Sequence, residues 1–372
     1  MKTRRERLIC QLVEYMVNHV PAEKRDAYLL QLCSNSIERR QIVHHMIKVY
    51  LVHKMTDTRA IPNIMFNINR YLEQECLEMF RFNAADIGSI LNFLKLDPDQ
   101  ITENRNRFST FEGICLLLHR LAYPSRWRDL VAMYGRSEAS LSQIFHHMVQ
   151  VILSKITTIL YLDKNRLLPR LQEFAEAIEN AGSPIGSIFG FIDGTVRPIS
   201  QPTRHQRSVY NGHKRCHAIK FQSVVTPDGL ISHLWGPLEG RRHDITLLRK
   251  SQLEQNLKGF EGYFIYGDPA YSHSERFCCP FQPAITDAQK EMNRRLSSVR
   301  EAVEWGFSEV VKYFAFVDFK KQLKIQKTPV ANLYKVAVFF TNLVTITRGG
   351  NTCSDYFNLA PPSMEEYLQN VT

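Results

Sequence analysis

The apolar residues of this chain change their spacing once, and that change limits the folds open to it. Up to about residue 170 they recur every three or four positions, as in "LICQLVEYMVNHV", "RRQIVHHMIKVYLVHKM" and "INRYLEQECLEMFRF", the signature of amphipathic helices. From about Ser187 the segments "IFGFIDG", "HAIKFQSVVT", "GLISHLWGPL" and "GYFIYGDPA" are short, rich in Ile, Val, Phe and Tyr, and bounded by Gly, Pro or charged clusters, as strands are. Between the third and fourth of them "HDITLLRKSQLEQNL" reads as a helix, and a long helical stretch follows from about Thr286.

A three-strand meander, a helix, a parallel-type strand and then helices is the element order of an RNase-H-like α/β domain. The expected organisation is a helical region over 1–105, a helix-turn-helix-like unit over 106–170, the RNase-H-like domain over 187–348, and a C-terminal tail over 349–372 running on the surface. In the second of these, Pro124 and "YGRS" separate three helices; Ser137 would cap the third, with Leu141, Ile144, Phe145, Met148 and Val149 facing inward. As a DNA reader this helix would offer Glu138, Ser140, Ser142, Gln143, His146 and His147 to the major groove, while Arg126, Arg128 and Arg136 hold phosphates. A helical hairpin that only packs on its neighbours fits the same pattern.

Among 372 residues, Lys and Arg outnumber Asp and Glu by 47 to 37, a net charge of +10 that favours a polyanionic partner, nucleic acid first. The 44% hydrophobic content supports real cores. Eight cysteines are scattered without metal-ligand spacing or a disulfide frame, so reduced intracellular thiols are expected. The start, "MKTRRERLICQLVEYMV", lacks an uninterrupted apolar region, and the longest apolar run, 336–346, is short for a bilayer and contains Asn342, so no membrane is expected. "KTRRER" reads as a nuclear import signal or as a solvated charge run.

Two of the strand-like runs stop at a carboxylate, "GFIDGT" at Asp193 and "FIYGDPAY" at Asp268, and either alone reads as a turn residue. Further on, Glu304 lies beside a helical stripe of Val299, Val303, Phe307, Val310 and Phe314, from which its carboxylate can be directed at the sheet edge. Three carboxylates brought together repel and titrate high unless cations neutralise them. Joined, they suit two divalent cations, Mg²⁺ or alternatively Mn²⁺, acting on an in-line displacement at phosphorus. Asp244, in "GRRHDITLL", reads as a helix N-cap or as a further member of the site; Glu301, one turn before Glu304, is its rival, and Glu309 lies on a different face. Asp228, in "TPDG", reads as a turn residue. Between the first two strands Arg204, Arg207, Lys214 and Arg215, with His205, His213, Tyr210 and Gly212, form a loop that suits a phosphate backbone or is simply solvated. No P-loop, dinucleotide fingerprint or Ser-His-Asp signature stands out.

The words "IDGT", "YNGHKRCHAIKFQSVVTPDGLI", "GRRHDITLL" and "GDPAY", with Arg300, Val303, Glu304 and Phe307 of "REAVEWGF", occur in family order, and over about 187–345 the chain resembles the PIF/Harbinger transposase group of DDE superfamily endonucleases, including Harbinger transposase-derived nucleases. The resemblance implies a retroviral-integrase-like DDE domain in which Asp193, Asp268 and Glu304 match the acidic triad, and His243 and Asp244 match a His-Asp word with a supporting role. It further implies a transposase that cuts transposon ends by metal-assisted hydrolysis and joins the 3′-hydroxyl to target DNA. A Myb-like accessory protein aiding nuclear entry and end recognition, and assembly as a homo-dimer or larger, follow from the same likeness. Departures are Pro269 and Ala270 in "GDPAY", where small residues and glycine are usual, and the basic "LEGRRHD", whose loop would meet DNA differently. A domesticated descendant that binds DNA or chromatin without transposition would keep this fold, and a nuclease that cuts without joining would use the same site; the intact triad favours an enzyme.

Overall fold

The segments that read as strands after Ser187 join one mixed sheet, in a computed structural model that describes residues 61–369 apart from 272 and 326, together with Pro21 and Lys24. The helical segments expected before residue 61, and the basic "KTRRER", lie outside the described residues. Ile64–Thr372 form one compact unit.

Its helical part begins with α1 (Glu73–Phe80) and α2 (Ala84–Leu94), passes through a hairpin of β1 (Asp99–Ile101) and β2 (Arg107–Ser109), and continues as α3 (Thr110–Ala122), α4 (Trp127–Tyr134) and α5 (Glu138–Ile156). Ser137 caps α5 by accepting the Ser140 amide, and Leu141, Ile144, Phe145, Met148 and Val149 are buried, as their spacing predicts. After α6 (Leu171–Asn180) come β3 (Ile188–Pro198), β4 (Tyr210–Asn211), β5 (Cys216–Val225), β6 (Ile231–Glu239), α7 (Asp244–Ser251), β7 (Phe264–Tyr266), β8 (Phe277–Cys278), α8 (Asp287–Tyr313) and α9 (Val330–Thr347).

The sheet runs β6, β5, β3, β7, β8, with β3, β5 and β6 antiparallel and β7 and β8 parallel to β3, an order compatible with an RNase-H-like domain. β3 is apolar on both faces because both are covered. Phe191 joins the core that contains Val299, Val310 and Val338 of α8 and α9, whereas Phe189 and Ile192 join the core of Phe174, Leu253 and Phe277. Each such side chain, fully buried, stabilises the fold by roughly 1.5–3 kcal/mol. α9 is long and apolar enough to cross a membrane by length and composition, yet most of it is buried here, and Asn342 bonds both the amide and the carbonyl of Ile231 at 3.0 Å.

Two regions differ from expectation. The segment after Gly349 is no surface extension: α10 (Thr352–Phe357) and α11 (Met364–Leu368) bury Cys353, Phe357, Tyr367 and Leu368 against the core. Asp228 does sit in the β5–β6 turn, but it is fully buried and ion-paired to Arg166 at 3.1 Å and Arg170 at 3.0 Å, because a buried carboxylate requires compensating charge.

Candidate active site

Strand register brings Asp193 and Asp268 together. Phe191 of β3 faces Tyr266 of β7 in a parallel pair, and each aspartate follows its member of that pair by two residues. β7 ends at Tyr266, so Asp268 follows in a loop, on a chain about 4.8 Å from β3 at the last pair, and its charge acts on Asp193. Asp193 does not end its strand, contrary to the sequence reading: β3 continues to Pro198, with Asp193 opposite Ser223. What ends beside it is β7, and that opens the edge of β3.

Close packing is what requires the glycines beside the two aspartates. A Cβ on Gly194 would lie 2.0 Å from Asp244 Oδ1, and one on Gly267 would lie 2.7 Å from Ile192 Cγ2 and 2.8 Å from Tyr271 Cδ2. Glycine therefore lets Asp244 and Tyr271 close in on the acids. Asp244 is not the N-cap of α7. His243, exposed, holds that position without a side-chain cap bond. Asp244 instead turns its carboxylate to Lys220 Nζ, at 2.8 Å from Oδ1 and 2.9 Å from Oδ2, where the nearly buried lysine needs a counter-charge.

These groups share one electrostatic field. Burial pushes the Asp193 carboxyl up to about 6, opposed by Arg300 and by the Gly194 amide that donates to Oδ1 at 2.7 Å, and reinforced by Asp268 and Asp244. Asp268 is also raised, by burial and then by Asp244, and is held down by the Ala270 amide, Arg300 and Lys220. The buried Tyr271 hydroxyl is pushed well up by burial and by Asp244, Asp193 and Asp268, and has no hydrogen-bond partner among the described residues. Arg300 Nη1 stands 3.5 Å from Asp193 Oδ2.

Glu304 is exposed on α8 and lines an open cleft of about 870 Å³ together with Asp193. Its rival Glu301 is exposed but does not line that cleft, and Glu309 is buried and paired to Lys312 at 3.0 Å. Part-buried carboxylates with raised pKa fit a hard divalent cation in donor chemistry. Among the described residues no three Asp, Glu, His or Cys side chains stand together so as to hold one ion. β3 and the end of β7 bring Asp193 and Asp268 onto neighbouring chains, Asp244 is ion-paired to Lys220, and Glu304 lines the cleft with Asp193.

Lys214 and Arg215 line the same cleft, and Arg204 and Arg207 are exposed in the connection before β4. The helical region is less open than its sequence suggests. Arg136 is held by Glu112 at 2.5 and 2.8 Å, Arg126 by Asp129 at 3.2 Å, and Arg128 by Glu138 at 3.4 Å. The expected reading face of α5 carries the β1–β2 hairpin: Asn106 bonds Gln143 and, at 3.2 Å, Ser140, and Gln100 meets His147 at 3.2 Å. His146 is part-buried, with its pKa lowered by burial and by Arg120. Sequence reasoning missed Arg197, Lys312 and Lys320 on the cleft and Lys220 beneath it. A signal existed: Asp193, Thr195 and Arg197 alternate on one face of β3, and Arg300, Glu304 and Ser308 recur on one face of α8.

Residues 192–342 match the family model described as DDE superfamily endonuclease, a span that holds Asp193, Asp268 and Glu304. No curated protein and no solved structure matches the chain. Over residues 192–342, then, this chain is similar to the DDE superfamily endonucleases.

Proposed function

We propose that the chain is a divalent-metal-dependent DNA transposase that cuts transposon ends and joins the freed 3′-hydroxyl to target DNA. The observation that carries this reading is the approach of Asp193 and Asp268 from the neighbouring chains of β3 and β7, beside a basic cleft that Glu304 lines. Asp193, Asp268 and Glu304 would hold the cations, Mg²⁺ or Mn²⁺. When bound, these supply the charge that stabilises the attacking and leaving oxygens of an in-line displacement at phosphorus.

The rest of the work falls to the chain itself. Lys214, Arg215, Arg197 and Lys320 on the cleft draw in the phosphate backbone of duplex DNA, and Arg204 and Arg207 extend that surface. Lys220 fixes Asp244 over Gly194 and balances part of the negative field. The same reading includes a Myb-like accessory protein for end recognition and nuclear entry, and a homo-dimer or larger assembly that pairs two ends.

The test is strand cleavage and joining by the purified chain on DNA carrying its own element's terminal repeats, with Mg²⁺ or EDTA, with and without the accessory protein. Metal-dependent nicks followed by joined products are expected. Asp193→Ala, Asp268→Ala and Glu304→Gln should each lower them by at least about 10²-fold with unchanged circular dichroism. Retained cleavage in one variant removes that residue from the site. Binding to the ends with no cleavage under any condition would make the chain a domesticated DNA- or chromatin-binding protein instead.

A further inference from the structure

We infer that Arg300 is a built-in competitor for the cation: its guanidinium and a divalent ion are alternative partners of the same Asp193 oxygen. The inference rests on the metal-dependent reading above. Asp193 Oδ1 accepts the Gly194 amide at 2.7 Å, and Oδ2 faces Arg300 Nη1 at 3.5 Å. Arg300 also pulls on Asp268 and on Tyr271, so its charge stands in the field that the two aspartates share.

The two cations of the site are held on different terms. Lys220 donates to Asp244 Oδ2 at 2.9 Å and stands 2.8 Å from Oδ1, with side chains 10% and 18% exposed. Arg300 makes one long contact, with side chains 26% and 22% exposed, and not the two-pronged pair that a guanidinium forms with a carboxylate when it is locked. The first pair is fixed and the second can be displaced.

Charge supplies the driving force. Asp193, Asp268, Asp244 and Glu304 carry four negative charges against one each on Lys220 and Arg300, which leaves the group two positive charges short. Replacing Arg300 by a divalent ion on Asp193 narrows that gap. Arg300 and Glu304 are one turn apart on a single face of α8, so one helix face carries both the competitor and the remaining acid of the proposed ligand set.

The experiment is calorimetric titration of the full chain with MnCl₂, without DNA, for wild type, Arg300→Gln, Arg300→Lys and Asp193→Asn. Arg300→Gln should bind Mn²⁺ about tenfold tighter or better, the scale on which an adjacent opposite charge acts on a carboxylate. Its Tm should also rise more than that of wild type at equal Mn²⁺. Arg300→Lys keeps the charge on a more flexible point-like head and should fall between the two, and it carries the test if the glutamine variant does not fold. Asp193→Asn should abolish binding. If wild type binds Mn²⁺ through Asp193 and neither Arg300 variant binds tighter, the competition is wrong and the metal reading stands. If no variant binds Mn²⁺ in an Asp193-dependent way, the metal reading falls and takes this inference with it.

Discussion

Asp228 and Asp193 flank the same strand under opposite conditions. Asp228, in the turn that leaves β5, is fully buried. Its Oδ2 receives Arg166 at 3.1 Å and Arg170 at 3.0 Å, and its Oδ1 the Thr226 hydroxyl at 2.6 Å. Asp193, opposite β5 at Ser223, is partly open, has one amide and one arginine at 3.5 Å, and is surrounded by other acids. Both are buried enough to need partners, and only the first has them in full. A carboxylate that joins parts of a fold is saturated and closed off, whereas one available for chemistry keeps an unsatisfied charge facing an opening.

Neutralising each carboxylate should break this contrast if it is false. Asp228→Asn takes from Arg166, 3% exposed, its ion-pair partner, while Arg170 keeps Glu173 at 2.7 Å, and should cost about 3–5 kcal/mol in denaturant unfolding. A loss under about 1 kcal/mol would mean the arginines find other partners and the cluster is no clamp.

The same substitution at the site should have the opposite sign. The folded pKa of Asp193 lies above its ordinary value, so near pH 7 its ionised form is what burial and neighbouring acids oppose. In EDTA at pH 7, Asp193→Asn should raise stability by about 1–2 kcal/mol. Destabilisation would show that its pair with Arg300 is structural, and the two aspartates would then differ in degree only.

How much of this was legible in the sequence depends on range. Four runs of β-branched and aromatic residues after Ser187 showed their strands, the three-residue β7 among them because "YFIY" is wholly aromatic and aliphatic, while β1, β2 and β4 carry polar or charged residues in a short span, and β8 is two residues long, so that no pattern registers. "IDG" and "YGD" read as turns because a turn and a close approach ask for the same residue; Asp244 and Tyr271, which decide between them, arrive from other elements. The clamp on Asp228 was hidden because its arginines lie some sixty residues upstream, a pairing that only tertiary packing makes. The buried residues of α10 and α11 are too few and too widely spaced to outweigh a polar, proline-containing tail. Helical spacing puts Arg300 on the face of Glu304, but nothing in the spacing says that Asp193 is its partner.

The contrast extends to acid, with the smallest effect at neutral pH. His233, on β6 beside the Ser232 that Arg166 holds at 2.7 Å, is fully buried against the Tyr161 ring, and neither ring nitrogen has a partner among the described residues. Burial pushes it down to about 3, and His119 in α3 to about 4, from an ordinary 6.5. A folded pKa below the unfolded one means the unfolded chain binds the extra proton. The stability these histidines allow is therefore present above about pH 6.5 and is lost as pH falls, by about 1.4 kcal/mol per pH unit for each proton. His233→Leu should differ little from wild type at pH 7 and unfold with a slope shallower by about one proton between pH 6 and 4. An unchanged slope would mean that His233 stays neutral or is already solvated. Asp193 acts in the other direction, since its raised pKa makes the folded chain the proton binder as pH falls through about 6. Acid thus strains the structural end of the sheet while it relieves the candidate active site, and Asp193→Asn should leave the wild-type acid slope steeper by about one proton.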